Sequence, residues 1–186
     1  MDNISFKSRI KAVSLSEFNR LTSSYRNNCV NYPWTVKESL LKPSAYTTDV
    51  YDCTVCGFTD GSKVLLLHIC PTIAKNLKFA EIEKFITEKL DLTNSYLQGF
   101  LLGSRDNFKD SSNSSKVFKF FENFMKKNNI AYSKLQNSNT EVNVAYSSTT
   151  DEWIVASKDY NAKKSSKENL SKFYENIELS ELDEFA

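Results

Sequence analysis

Histidine is nearly absent from this sequence, since His68 is the single histidine among 186 residues. If the protein uses an imidazole for any chemistry, it therefore uses this side chain. The chain also lacks an excess of one charge, because 24 lysines and arginines face 23 aspartates and glutamates, for a formal net charge of +1. A charge so close to zero supplies no strong basic field for a phosphate backbone, so we expect no nucleic acid partner.

Long apolar runs are missing as well. No stretch approaches the length of a membrane span, so we expect no membrane partner. Residues 1–11 lack the apolar segment of a secretory signal, which predicts synthesis in the cytoplasm without a cleavable leader. The composition, 40% hydrophobic and 13% aromatic, is enough for one core. We therefore expect a monomer with one domain over residues 1–157 and a polar, acidic-ended tail or helix over residues 158–186.

Cysteine is present in a pattern that does not suggest a disulfide framework. The four cysteines are residues 29, 53, 56 and 70, and three of them fall within 18 positions of one another. The chain is too long, and too rich in core-forming residues, to need disulfides for stability. We therefore expect a reducing compartment, in which these thiols are free, bound to a metal or catalytic.

Hydrophobic patterning predicts a mixed α/β domain. The clearest element is a β-hairpin, in which the β-rich residues 48–58 and the nearly unbroken apolar residues 63–70 flank the tight-turn pair Asp60 and Gly61. Ser14 and Glu17 form a capping-box signature that predicts a helix directly after Ser14. Further helices are predicted over residues 73–90 and 117–125, further strands over 95–103, 130–135, 142–146 and 153–155, and irregular chain over 31–46.

The predicted hairpin brings a thiol and the imidazole together. Cys53 lies eight residues before Gly61 and His68 lies seven residues after it, so a simple hairpin places them nearly opposite each other. At that separation the imidazole can accept the thiol proton, and the resulting thiolate can attack a carbonyl carbon. The spacing therefore predicts a nucleophile and its base.

Two other interpretations of the same residues remain open. In the first, the cysteines are small core residues and the histidine is a hydrogen-bonded residue at the end of a strand. In the second, Cys53, Cys56, His68 and Cys70 supply four zinc ligands. Against zinc, residues 53 and 56 differ by three positions and therefore point to opposite faces of a strand.

The segment also resembles a known active-site region. Thr47 lies six residues before Cys53, CTVCGFTD occupies residues 53–60, and HICP occupies residues 68–71. This pattern is similar to that of the cysteine-dependent glutamine deamidases, which include bacterial chemoreceptor glutamine deamidases, the catalytic domain of cytotoxic necrotizing factor toxins and Burkholderia lethal factor. The similarity continues through LLGS at residues 101–104 and NNIAY at residues 128–132, and it covers residues 45–157.

The resemblance implies a deamidase-like α/β (α+β) fold with a mixed, largely antiparallel sheet or sandwich flanked by helices. It implies conversion of a protein glutamine to glutamate, or transglutamination if an amine replaces water. Cys53 would be the nucleophile, His68 the general base and acid, and Thr47 the residue that orients the imidazole. Backbone N–H groups near the start of the cysteine strand, that of Cys53 among them, would bind the oxyanion. Neither a metal nor an organic cofactor is required.

The partner implied by this resemblance is a protein substrate that carries the target glutamine. It further implies a bacterial effector or toxin with a role in virulence, made in the bacterial cytoplasm and secreted into the host cytosol without a cleavable signal peptide. Asp52 departs from the family, which has a small residue there, and its anion is expected to raise the pKa of the adjacent thiol. This departure keeps a catalytically inactive protein-binding module on the same scaffold as an alternative, beside a zinc-stabilised interaction domain.

Overall fold

The computed structural model describes residues 8–30, 41–71, 79–103, 111–136, 141–161 and 163–170. Its helices are α1 (Leu15–Thr22), a 3-10 segment that follows it (Ser23–Asn28), α2 (Phe79–Lys89), α3 (Ser111–Lys127) and α4 (Ser166–Leu170). Its strands are, in chain order, β1 (Arg9–Val13), β2 (Ser44–Val50), β3 (Thr54–Thr59), β4 (Val64–Ile69), β5 (Gln98–Gly103), β6 (Ala131–Gln136), β7 (Val142–Ser147) and β8 (Glu152–Ser157).

These strands form two four-stranded sheets. Sheet I has the order β1-β8-β7-β2 and sheet II the order β4-β3-β5-β6. Neighbouring strands are antiparallel except for two parallel pairs, β1 with β8 and β5 with β6. The predicted α+β class, with mixed and largely antiparallel sheets flanked by helices, is therefore confirmed.

The apolar side chains arrange the molecule in four layers. Val55 and Phe100 of sheet II pack with Val144 and Trp153 of sheet I in a core between the sheets. The outer face of sheet I packs against Phe18 of α1. The outer face of sheet II packs against α2 and α3 through a second core, which includes Cys56 and Phe121.

Strand β4 has an almost entirely apolar sequence because both of its faces are buried. Its even-numbered residues, among them Leu66, face the core between the sheets, whereas Leu65, Leu67 and Ile69 face the helices. Because both faces of the strand are buried, alternation with polar residues is lost. His68 lies on the even-numbered face, so the imidazole points between the two sheets.

Several predicted boundaries are confirmed by local hydrogen bonds. The Ser14 hydroxyl accepts the Glu17 N–H at 3.1 Å and begins α1. At the end of α3, Asn129 has φ of 54° and the Ile130 N–H donates to Met125 O at 2.9 Å, which is the pattern of a Schellman C-cap. The hairpin of β3 and β4, strands β5 to β8, and α3 also lie where the sequence predicts them.

Other predictions about the chain were wrong, or they concern residues that lie outside the described ranges. The irregular interpretation of residues 31–46 was wrong at its end, because β2 begins at Ser44. The single strand predicted for residues 48–58 is broken by a bend at residues 51–53. Strand β1 was not predicted. The first residues of the helix predicted over 73–90 lie outside the described residues, as do residues 171–186 of the predicted tail.

The chain continues to pack beyond residue 157. The short helix α4 places Leu170 in the core between the sheets, where it is 2% exposed. The Ser166 hydroxyl accepts the Ala12 N–H at 2.9 Å, which fixes this helix against β1. Among the described helices, none combines the length and hydrophobicity that a membrane span requires.

Candidate functional site

The two edge strands β2 and β4 meet on one side of the sandwich and carry two of the predicted site residues. Strand β2 ends sheet I and β4 ends sheet II. Across the gap between them, Thr47 Oγ1 and His68 Nδ1 are 2.7 Å apart, and both residues are buried. This polar contact therefore joins the two sheets.

A second hydrogen bond determines which nitrogen of His68 carries the proton. The Thr47 hydroxyl donates its only hydrogen to Val30 O at 2.8 Å. Toward the imidazole it can then only accept, so Nδ1 is the protonated nitrogen and Nε2 carries the lone pair. Burial lowers the pKa of His68 to about 4, against the opposing effect of the Asp49 and Asp52 carboxylates. The ring is therefore neutral at pH 7, with its basic lone pair on Nε2.

The local backbone explains how Thr47 reaches this position. The Val30 N–H donates to Tyr46 O at 2.8 Å, so the chain at residues 29–30 runs along the free edge of β2 and presents the Val30 carbonyl to Thr47. A register shift between Thr47 and Val50 interrupts the pairing of β2 with β7. Asp49 has φ of 59° within this bulge. Bulges redirect side chains in this way next to functional sites.

Cys53 lies on the same face as His68, but not directly opposite it. The register pairs Val55 with His68 and Thr54 with Ile69, so the position facing Cys53 is that of Cys70. The predicted alignment was therefore wrong by two positions. The cause is the hairpin loop: Asp60 Oδ1 accepts the N–H groups of Ser62 and Lys63 at 3.0 and 3.2 Å, and the loop is centred after Gly61 rather than between Asp60 and Gly61.

This register makes Cys53 and His68 diagonal neighbours rather than a direct pair. Diagonal neighbours on one face of an antiparallel pair are about 7–8 Å apart at Cα, within reach for long or aromatic side chains. The hydrogen bond that Cys53 makes here is to its own neighbour, because Sγ donates to Asp52 Oδ1 at 3.7 Å. The thiol and the imidazole thus share a face, while the thiol proton is directed to a carboxylate.

The thiol is held in its neutral form in this conformation. Cys53 is 4% exposed and His68 is 2% exposed. Burial raises the pKa of the Cys53 thiol well above its ordinary value, and the adjacent Cys70 and the Asp52 carboxylate raise it further. The effect of Asp52 has the direction that the sequence predicts. A carboxamide can reach the sulfur only after the groups that cover it move.

Two residues from other elements fix the backbone at Cys53. The Ser114 hydroxyl of α3 donates to the Asp52 carbonyl at 2.9 Å. Gly103, at the end of β5, has φ of 150°, and a Cβ there would lie 3.1 Å from the Cys53 carbonyl oxygen. Sequence reasoning missed Ser114 and the Val30 carbonyl, because a serine in a polar run and a backbone oxygen carry no local signal. The glycine in LLGS was the one available indication.

The four residues considered as zinc ligands do not converge. Cys53 and Cys70 belong to the core between the sheets, which His68 also faces, whereas Cys56 belongs to the core beneath α2 and α3. The opposite orientation of residues 53 and 56 follows from the alternation along β3. Within the part of the chain that the structure describes, no group of three or more histidine, cysteine, aspartate or glutamate side chains has the arrangement of a metal site.

Taken together, fold and site define an α+β sandwich protein with a buried cysteine, histidine and threonine at one edge. No protein-family model matches the chain, and no curated protein matches its sequence.

Proposed function

We propose that this protein is a cysteine-dependent protein-glutamine deamidase with Cys53, His68 and Thr47 as its reacting and orienting residues. The observation that carries the proposal is the hydrogen bond of 2.7 Å between Thr47 Oγ1 and His68 Nδ1. It supports a neutral imidazole with its lone pair on Nε2. The imidazole lies on the same face of sheet II as Cys53. A base of this kind is what a thiol nucleophile requires.

The proposed reaction is an acyl transfer through a thioester. His68 Nε2 accepts the Cys53 thiol proton, and the thiolate attacks the side-chain carboxamide carbon of a glutamine. The tetrahedral oxyanion is stabilised by backbone N–H groups that include that of Cys53. The intermediate collapses when the imidazolium returns its proton to the leaving ammonia. Water, deprotonated by the same imidazole, then cleaves the thioester to release glutamate and the free thiol.

Catalysis requires a change from the conformation described above. The Cys53 sulfur must turn from Asp52 toward the imidazole, and the groups that cover the two side chains must move. Binding of a protein substrate can supply the free energy for both changes. We propose accordingly that the resting protein keeps its thiol protonated and that the substrate assembles the reactive pair. A thiol that stays unreactive until the target binds is consistent with an effector or toxin that acts on a host protein.

A second candidate function is a protein-binding module without turnover. The observation that favours it is the hydrogen bond from Cys53 Sγ to Asp52 Oδ1, with the thiol almost fully buried. A carboxylate in this position opposes formation of the thiolate whenever the side chains keep these places. In this alternative, Thr47 and His68 hold the two sheets together and perform no chemistry.

The direct experiment is to detect deamidation in an extract of candidate target cells. Wild type and Cys53→Ser are incubated with the extract in water enriched in heavy oxygen, and peptides are analysed for glutamine converted to glutamate with the label incorporated. We expect labelled sites with wild type only. A His68→Gln variant that retains its fold should resemble Cys53→Ser. No labelled site with wild type, in extracts of several cell types, would count against the deamidase.

A second experiment separates the two candidate functions without a known target. The rate of alkylation by iodoacetamide at neutral pH is measured for each cysteine by peptide mass analysis. The deamidase predicts that Cys53 reacts through transient opening and that His68→Gln lowers its rate relative to that of Cys29. Cys56, which is fully buried on the helix side, is the internal reference for a closed thiol. Equal rates for Cys53 and Cys56 in the folded protein would favour the binding module.

A further inference from the structure

Ser114 lies outside the predicted active-site segment, yet it binds that segment directly. We propose that Ser114 is a positioning residue that orients the peptide unit between Asp52 and Cys53, so that the Cys53 N–H serves as an oxyanion donor. This inference rests on the proposed function and assigns to α3 a part in catalysis. It is carried by one hydrogen bond from a buried serine and by the planarity of the peptide group.

The hydrogen bond of Ser114 reaches outside its own helix. Serine and threonine hydroxyls in helices commonly donate to a carbonyl one turn earlier in the same helix. Ser114 instead donates to the Asp52 carbonyl, 62 positions away in the sequence, at 2.9 Å. Ser114 is 3% exposed, so little water reaches its hydroxyl. The first turn of α3 is therefore attached to the bend that precedes β3.

The direction of the Cys53 N–H follows from this contact. In a trans peptide the C=O of residue 52 and the N–H of residue 53 lie in one plane and point in opposite directions. Helix α3 packs on the outer face of sheet II, and the Asp52 carbonyl is directed to it. The Cys53 N–H is therefore directed away from α3, toward the side on which the Cys53 side chain and the imidazole lie.

The same contact strengthens the donor. A hydrogen bond to the carbonyl oxygen polarises the peptide group and makes its N–H a better donor. The next peptide is restrained from the other side, where Gly103 comes so close that a Cβ would lie 3.1 Å from the Cys53 carbonyl oxygen. A donor held in place before the reaction begins stabilises developing negative charge without a further cost of reorientation.

The test compares two reactions of the same sulfur. Acylation of Cys53 by p-nitrophenyl acetate passes through a tetrahedral oxyanion, whereas alkylation by iodoacetamide displaces iodide and forms no oxyanion. Loss of an oxyanion donor costs about 100- to 1,000-fold in rate. Because Ser114→Ala only loosens the donor, we expect acylation to fall about tenfold while alkylation changes less than twofold. Ser114→Thr keeps the hydroxyl and should restore acylation.

The matched control is Asn123→Ala, which changes an exposed polar residue of the same helix. It should leave both rates unchanged. A second measurement follows the amide resonance of Cys53 by NMR, which reports the hydrogen bond at the Asp52 carbonyl directly. We expect it to shift in Ser114→Ala and to keep its position in Ser114→Thr. This measurement uses the intact folded protein and needs no reaction.

The outcomes separate this inference from the proposed function. If wild type is acylated and Ser114→Ala retains the wild-type ratio of the two rates, the role of Ser114 is overturned and the deamidase stands. If both rates fall together in Ser114→Ala and Ser114→Thr does not restore them, Ser114 is structural only. If wild type is alkylated at Cys53 but never acylated, the proposed function fails, and the oxyanion role of Ser114 fails with it.

Discussion

Asp52 and Cys53 are sequence neighbours whose side chains are joined by a hydrogen bond. The carboxylate accepts the thiol hydrogen at 3.7 Å and contributes to the raised pKa of the thiol. In Asp52→Asn the acceptor oxygen remains and the charge is removed, so the thiolate becomes easier to form. We expect alkylation of Cys53 to accelerate about threefold at a fixed pH, the effect of about half a pKa unit.

The measurement is the rate of alkylation of Cys53 as a function of pH. Its midpoint should move to lower pH in Asp52→Asn. The control is Glu88→Gln, which removes one negative charge from an exposed position of α2. An unchanged midpoint in Asp52→Asn would show that burial and Cys70, and not the carboxylate, hold the thiol protonated.

His68 links the free energy of unfolding to pH. Its pKa is lowered from 6.5 to about 4 in the folded protein, mainly by burial. Between these two pH values the unfolded chain binds a proton that the folded protein does not, so stability falls as pH decreases. The contribution is complete above pH 6.5, declines as pH falls toward about 4, and is lost below it. At about 1.4 kcal/mol per pKa unit, the loss is about 3 kcal/mol.

Urea unfolding of wild type and His68→Gln across this pH range checks the prediction. Glutamine keeps an N–H donor for Thr47 and does not titrate. Asp49 and Asp52, the carboxylates that act on the imidazole, are present in both proteins. The difference between the two curves therefore isolates the imidazole. Curves that run parallel from neutral pH to pH 4 would contradict a buried neutral histidine.

Thr47 provides the third prediction at this scale. Its hydroxyl donates to Val30 O at 2.8 Å and accepts from His68 Nδ1 at 2.7 Å. Thr47→Val keeps the shape of the side chain and leaves a buried acceptor and a buried donor without this partner. We expect a loss of about 1–3 kcal/mol in the free energy of unfolding. Thr47→Ser, which keeps the hydroxyl, should lose less than half as much in the same urea titration.

The sequence predicted that these residues lie near one another better than it predicted their alignment. His68 stood out as the single histidine, and the resemblance selected Thr47 and Cys53. The pairing across the hairpin was shifted by two positions, because the carboxylate of Asp60 stabilises a longer loop than its Asp-Gly pair suggests. The contact of Ser114 with Asp52 joins positions 62 apart, and no local pattern encodes such a contact.

At the scale of elements, β3 depends on a close approach between the sheets. A Cβ at Gly57 would overlap the indole ring of Trp153. That ring cannot retreat freely, because it stacks on Phe100 with ring centroids 4.5 Å apart and packs against Tyr146. Gly57→Ala therefore forces the sheets apart locally, and we expect a loss of about 1–3 kcal/mol.

Thermal unfolding followed by circular dichroism measures this loss. The control is Gly61→Asn in the hairpin loop, where the structure has open space around the position and φ is 86°. Asparagine tolerates a positive φ better than most residues, so the control should remain close to wild type. Equal stability of Gly57→Ala and wild type would show that the sheets are not in close contact at β3.

Elements buried on both faces were the easiest to predict. The run VLLLHI of β4 contacts a core on each side, and this gives an apolar signal without ambiguity. Strand β1 was missed because it is short and two of its five residues are exposed. Its partner β8 lies more than 140 positions away, in parallel register. Pairings of that kind depend on the whole chain rather than on the local sequence.

At the scale of the whole molecule, the site lies where two sheets meet, and this joins its geometry to the packing of the sandwich. Thr47 belongs to sheet I, whereas His68 belongs to sheet II and Cys53 directly precedes strand β3 of that sheet. A change in the separation of the sheets therefore changes the distance between threonine and imidazole directly. The bulge at Asp49 and the contact from Ser114 restrain the two sides independently. The geometry of the candidate site is then a property of sheet packing as much as of the three side chains.

The extent of this packing yields the last prediction. The sequence predicts a domain over residues 1–157 and a polar tail or helix after it, and Leu170 of helix α4 is 2% exposed within the core between the sheets. Leu170→Ala would leave a cavity there, and we expect a loss of about 2–5 kcal/mol in the free energy of unfolding. Lys163→Ala, at an exposed position just before α4, should change stability by less than about 0.5 kcal/mol. Urea unfolding of both variants decides the matter, because a tail beginning at residue 158 would make the two substitutions equally harmless.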